Sequence, residues 1–323
     1  MTDRSVWIAA VDNAIAEAIS EAVTPLNAQI NSLQLTVTDL QNKLTVAMET
    51  IRVATETIAV DTATILDLQA RLAAATVLRP EWPNATNTGA KGPFTPYTGP
   101  RNITVAGTVL QNLDLSGGQL VIKAADVVIR NCMFNGTSWY AIRADDPAAN
   151  NLIVKDCTFK GPGTGATTNT NTAAIYGRGK FVNNDISGFE NGISFVDGPA
   201  SAIGNYIHDL ADGGGPHYDG IECHGGQHDI LIEGNHVEVL HSQTSTVFLK
   251  NDFGPITNVM VRKNRLIGGG YTVYADNTGA NGGALTGISF VDNVMGKGTY
   301  GYASLRVSTT WTGNVDMNSG NPI

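Results

Sequence analysis

From residue 110 onward one short phrase keeps returning: an apolar residue, two others, Asn or Cys, one more, and an apolar residue again. Its copies are Leu110/Leu113/Leu115, Ile129/Cys132/Phe134, Val154/Cys157/Phe159, Phe181/Asn184/Ile186, Ala202/Asn205/Ile207, Ile232/Asn235/Val237, Val261/Asn264/Leu266 and Phe290/Asn293/Met295, with Trp311/Asn314/Asp316 as a worn last one. The spacing of 19 to 30 residues is too uneven for propeller blades. It suits a solenoid whose strands stay in register while loops on one flank vary. A buried Asn needs its amide paired, and copies stacked one strand spacing apart, ~4.8 Å, can bond along the column. Antiparallel sandwiches and Greek-key barrels would not bring one residue type back to the same place in every turn. The sequence therefore predicts an all-β solenoid of parallel strands, with Cys132 and Cys157 capping the Asn column.

Between the phrases lies a second apolar column, read as Ile142, Ile175, Ile193, Ile221, Phe248, Val273 and Leu305, so each coil supplies at least two strands. Side chains alternate along a strand. This alignment puts Ser194, Glu222, Leu249 and Tyr274 in one outward row, with His224 beside Val196 and Asn251. Trp139 and Trp311 read as packing at coil ends.

A different regime precedes the solenoid. All 36 glycines lie at or after Gly89, and residues 26 to 79 hold neither Gly nor Pro. Apolar residues there step by threes and fours: Ala16, Ile19, Val23, Leu26, Ile30, Leu33, Val37, Leu40, Leu44, Ala47, Ile51, Ala54, Ile58, Ile65, Leu68 and Leu72, broken only at Asp61. A period of 3.5 kept up for about eight heptads marks a left-handed coiled coil, hence a homo-oligomer. Ile or Val in one seam column with Leu in the other favours two strands in parallel coils, but Ala47, Ala54 and Asp61 interrupt the Leu column. Thr24-Pro25 suits an N-cap and first helical residue. The expected division is a docking helix over 1–24, a coiled-coil stalk over 25–79, a Pro-rich linker over 80–100, and the solenoid over 101–323, with the stalk and the stretch Pro93 to Pro100 as cover for its first end.

The net charge of −9 and pI near 5.1, without a Lys/Arg cluster, argue against nucleic acid. No stretch approaches the ~18 apolar residues of a membrane span, and no leader for secretion is read at the start. Three cysteines without metal spacing, Cys132, Cys157 and Cys223, read as small buried side chains rather than a disulfide framework.

The phrase pattern over about residues 101 to 317 resembles the right-handed parallel β-helix of the pectate-lyase-like superfamily. A helical stalk joined to such a β-helix is similar to bacteriophage tail spikes and minor tail proteins. That resemblance implies a homotrimer, attachment to other virion tail proteins through the N-terminal helix, a place in the virion after synthesis in the host cytoplasm, and binding of host cell-surface polysaccharide. It implies no obligatory cofactor. A loose Ca²⁺ site drawn from Asp145, Asp146, Asp197 or Asp276 is a further option.

Candidate chemistry concentrates in residues 216 to 229. His217-Tyr218-Asp219-Gly220-Ile221-Glu222 is similar to the Asn-Thr-Asp-Gly-Ile-Asp stretch of polygalacturonase-type hydrolases, although the next coil, Thr246-Val247-Phe248-Leu249-Lys250, lacks their paired acid. Gly215-Pro216-His217-Tyr218-Asp219 resembles the Asp-Pro-His-Asp stretch of alginate lyases and epimerases, with Gly215 in place of the leading acid. That likeness would make His217 a base and Arg178 or Lys250 the neutraliser of a uronate. The candidate catalytic residues are Asp219, Glu222, His217, His224 and Lys250. The candidate glycan contacts are Tyr176, Tyr218, Tyr274 and Arg178, because sugar rings stack on exposed aromatic faces. The same residues also fit a structural role, with Asp219 a turn carboxylate before Gly220 and the histidines dispersed on loops. Three functions stay open: a glycan-binding tail spike, a depolymerase, and a spacer.

Overall fold

The computed structural model describes residues 3–77, 81–136, 139–163, 172–211, 217–279 and 282–323. It divides into two units, Met1–Pro80 and Glu81–Ile323.

The first unit is one α-helix, Asp3–Val77, with Pro25 inside it. The expected break at Thr24-Pro25 is not formed. Pro25 lacks only the one N–H that would have reached the Glu21 carbonyl, and the helix runs through it. The stripe Ile19, Val23, Leu26, Ile30, Leu33, Val37, Leu40, Leu44, Ile51 and Ile58 is exposed on this helix. The side chains of Asp61, Ile65, Leu68 and Leu72 lie outside the described residues.

The second unit is a right-handed parallel β-helix. Each coil gives one strand to each of three sheets, of ten, nine and nine strands, in which all paired strands run parallel. The phrase read from the sequence spans two of them: its first apolar residue lies in sheet C (Ile129, Val154, Phe181), its last in sheet A (Phe134, Phe159, Ile186). The second apolar column forms sheet B. Inward side chains stack by type, as in Phe134 on Phe159 with ring centres 4.6 Å apart.

Asn stands at the corner between sheets C and A. Asn235 Nδ2 donates to Ala202 O and to Asn264 Oδ1, both at 2.9 Å, and its Oδ1 accepts from the N–H and the Nδ2 of Asn205, both at 2.9 Å. The same bonds repeat through Asn184, Asn205, Asn264, Asn293 and Asn314, and the Cys157 N–H closes the column on Asn184 Oδ1 at 3.0 Å. All three cysteines are buried and free. The residue before each member of the column turns the corner in the left-handed region: Asn131, Asp156, Asn183, Gly204, Gly234, Lys263, Asp292 and Gly313 have φ between 49° and 66°. Asn, Asp and Gly reach that region at little cost. Lys263 is the exception.

Two register expectations are corrected. Ile221 pairs with Val247, not Phe248, and Val273 pairs with Ala303, not Leu305. Val247 and Leu249 are the buried pair of their strand, so the outward row reads Arg143, Tyr176, Ser194, Glu222, Phe248, Tyr274. The stretch 81–100 is likewise part of this body rather than a separate linker before it. It runs lengthwise over the coils: Pro83 O accepts from His236 Nδ1 (2.8 Å), Gly89 N–H donates to Asn183 O, Ala90 N–H to Thr158 Oγ1, and Lys91 N–H to Asn131 Oδ1. Thr95–Pro96 then joins sheet A as its first strand. Trp311 packs at the last coil as expected, against Phe290 and with its indole N–H on Ile323 O. Trp139 does not, being 56% exposed.

Replacing Asn235 with Ala strands two donors of Asn205 inside the body and takes the side-chain amide away from Ala202 O and from Asn264 Oδ1, which keeps only the backbone N–H of residue 235. The expected cost is about 3–5 kcal/mol, read as a lower denaturant midpoint. Asn314→Ala, at the end of the column, is expected to cost less; equal losses would show that the column does not act as a ladder.

Candidate functional site

Sheet B carries a groove on its outer face, made of two hollows that share Tyr140 and Tyr176. The first, of about 500 Å³, is bounded by Gly117, Gly118, Trp139, Arg143 and Asp145 among others. The second, of about 620 Å³, holds Glu190, Ser194, Glu222, His224, Phe248, Lys250, Asp252 and Phe253. From the strand of Arg143 to that of Phe248 is four strand spacings, ~19 Å along the axis. Tyr140 and Tyr176 stack at 4.6 Å and 8°, and Trp139 meets Tyr140 edge-on at 6.0 Å.

Local sequence sets the charged cluster. Asp219 precedes Gly220, where any side chain would strike Val237 and the Thr246 carbonyl, so the chain passes tightly between coils before the strand Ile221–Cys223. Glu222 is the one outward residue of that strand and His224 follows it. Gly225, at φ 130°, then turns away against Phe253 and Gly254, leaving no room for a side chain. The paired positions Cys223 and Leu249 put His224 and Lys250, one residue further on, side by side. This replaces the expected neighbour Asn251.

The cluster is a chain of alternating charge. Glu222 Oε2 meets His224 Nε2 at 2.9 Å, His224 Nδ1 meets Asp252 Oδ2 at 3.3 Å, and Asp252 Oδ1 meets Lys250 Nζ at 2.9 Å. Asn191 Nδ2 donates to Glu222 Oε1 at 3.2 Å, and Asn191 Oδ1 accepts the Asp219 N–H at 3.0 Å. Burial works against a charged His224, but the hydrogen bond and charge of Glu222, with Asp219 and Asp252 behind, outweigh it and lift the imidazole to about 9. Burial also opposes the charge of Asp252, yet Lys250 and His224 hold its carboxyl below the usual range. Asp219 is 1% exposed, and burial followed by the Glu222 charge pushes its pKa well up.

Of the predicted catalytic residues, Glu222, His224 and Lys250 come together, His217 stands exposed at the rim, and Asp219 lies beneath the groove without lining it. Gly215 and Pro216 lie outside the described residues. Of the predicted glycan contacts, Tyr176 lines both hollows. Tyr274 packs on Phe248 at 5.5 Å and Tyr218 stacks on His241 at 3.8 Å, neither lining the groove. Arg178 is elsewhere, bonded to Asp197 at 2.5 Å beside a separate hollow, so it cannot neutralise a ligand bound over Glu222. The acids considered for Ca²⁺ are occupied separately: Asp145 binds Arg143, Asp197 binds Arg178, and Asp276 lies 3.6 Å from Arg306. Among the described residues no group of three His, Cys, Asp or Glu side chains is placed to hold a metal ion.

Glu190, which sequence reasoning missed, faces the second hollow. Its Oε1 accepts the His217 N–H at 2.8 Å and its Oε2 the Thr172 N–H at 3.3 Å, so it ties two chain segments to the groove wall. Phe253 was missed too and is 75% exposed. Comparison with protein-family models, curated proteins and solved structures finds no significant match to this chain. Among the described residues no helix is long and apolar enough to cross a membrane.

Because the folded pKa of His224 lies above the ordinary ~6.5, its charge stabilises the fold fully below that pH, and the contribution is lost as pH rises through about 9. An NMR titration of the His224 ring is expected to give a midpoint near 9, falling toward the ordinary value in Glu222→Gln. A midpoint unmoved by that substitution would detach the imidazole from Glu222.

Proposed function

We propose that this chain is an attachment protein of a virion tail that binds a host-surface glycan in the groove of sheet B. The observation that carries this reading is the aromatic lining of one continuous groove by Trp139, Tyr140, Tyr176, Phe248 and Phe253. Sugar rings present apolar faces that stack on such side chains, and a groove parallel to the axis suits a polymer. The exposed heptad stripe of the helix supports the oligomeric half of the reading, since a lone helix of 75 residues with that stripe in water is poorly stabilised. Copies of the chain, three in the family it resembles, zip along the stripe, and the first turns dock to another tail protein.

Sedimentation of the full chain is expected to give an oligomer. Its labelled form is expected to bind host cells and to lose them after periodate oxidation of their surface sugars. Retained binding to oxidised cells would point to a protein receptor, and a monomer would remove the coiled coil.

A depolymerase is the second reading, favoured by Glu222: a carboxylate 6% exposed that faces the groove and is held by His224 and Asn191. If it serves as the acid or base, polysaccharide digestion releases new reducing ends and Glu222→Gln slows this by roughly 10²–10⁴. Release at an undiminished rate in that variant excludes the role.

A further inference from the structure

The charges along the groove restrict which glycan it accepts. In the two hollows the basic side chains are Arg143, His217, His224 and Lys250. Arg143 is held by Asp145 through Nε at 2.9 and 3.0 Å and Nη2 at 2.7 Å, a geometry that uses one full edge of the guanidinium. Lys250 is held by Asp252, and His224 by Glu222 and Asp252. His217 is at the rim, with its backbone on Glu190. Residues 137–138, 164–171, 212–216 and 280–281 include no Lys, Arg or His, so they bring no further cation to the body. Against these bases stand four carboxylates, Asp145, Glu190, Glu222 and Asp252.

A uronate entering this groove would leave water for a lining whose guanidinium and ammonium groups are already paired with carboxylates, and would gain no free cation in exchange. An uncharged pyranose avoids that cost. It can lay its apolar face on the Tyr140–Tyr176 stack or on the exposed Trp139, while its hydroxyls meet Gln119 and Ser194 at the groove wall. We infer that the groove selects a glycan of neutral hexose or N-acetylhexosamine units, anchored on the Trp139–Tyr140–Tyr176 platform, and rejects polyuronates. This rests on the glycan-binding reading and adds the substrate class to it.

The test is a printed array of neutral, N-acetylated and uronate oligosaccharides probed with the full chain at pH 8, where imidazoles of ordinary basicity are uncharged. Hits are then titrated with the matching free hexasaccharides. The expected result is binding to neutral or N-acetylated chains at least tenfold tighter than to any uronate. Trp139→Ala, at an exposed position, is expected to lose tenfold or more of that affinity with an unchanged melting temperature. Asp145→Asn, which frees Arg143, is expected to raise uronate affinity several-fold. Preferred binding of uronates by the unaltered chain overturns the inference and leaves the glycan reading standing. Silence across the whole array overturns both.

Discussion

The side-chain amides of six asparagines, each bonded to the backbone of the coil before and, for all but Asn314 at the end, to the next coil, hold this part of the β-helix in register. Slipping a strand by one residue sends every inward side chain outward, and short strands of three to five residues have few bonds of their own to resist it. The ladder resists it at one corner per coil. An Asn moved off its column would leave two donors and a twice-used acceptor unpaired in a dry interior. Loops of very different length can therefore be inserted between coils without disturbing which residues face out.

What faces out on sheet B follows from that. Arg143, Tyr176, Ser194, Glu222 and Phe248 form a row only because Ile142, Ile175, Ile193, Ile221 and Val247 are stacked beneath them. The lengthwise segment 81–97 fastens at the ladder corner and on sheet A, at Asn183, Asn131 and Thr158, and none of its residues lines the groove. The corner between sheets C and A is thus covered while the outer face of sheet B stays open.

The fold was legible in the sequence because a repeated buried amide has few solutions. The corner beside it was not: the position before each Asn looks variable, yet it reads Asn, Asp or Gly in every phrase except at Lys263, the composition of a left-handed turn. The groove was partly legible. Thr246-Val247-Phe248-Leu249 is apolar at three successive positions, so alternation could not say whether Val247 or Phe248 faces in, and the guess displaced Lys250 from His224 by one residue. Glu190 left no local signal, because its role depends on Thr172 and His217, brought together from two different loops. Trp139 looked like packing because tryptophan usually is buried, and only the hollow beside Gly117 and Gly136 exposes it.

The state of the charged cluster is a consequence of its counting. Glu222 and Asp219 lie almost fully buried near one imidazolium, and a second ionised carboxyl there would be repelled by the first at short range in a medium that screens poorly. Glu222 has the Asn191 amide on one oxygen and the His224 ring on the other. Asp219 has the Ser245 N–H at 3.2 Å on one oxygen, and among the described residues no hydrogen bond to the other. Burial first and the neighbouring Glu222 charge second therefore push the Asp219 carboxyl well above its ordinary pKa. His224 and Lys250 are paired with Glu222 and Asp252, so on the glycan-binding reading proposed above affinity would come from stacking and hydroxyl contacts rather than from ion pairing.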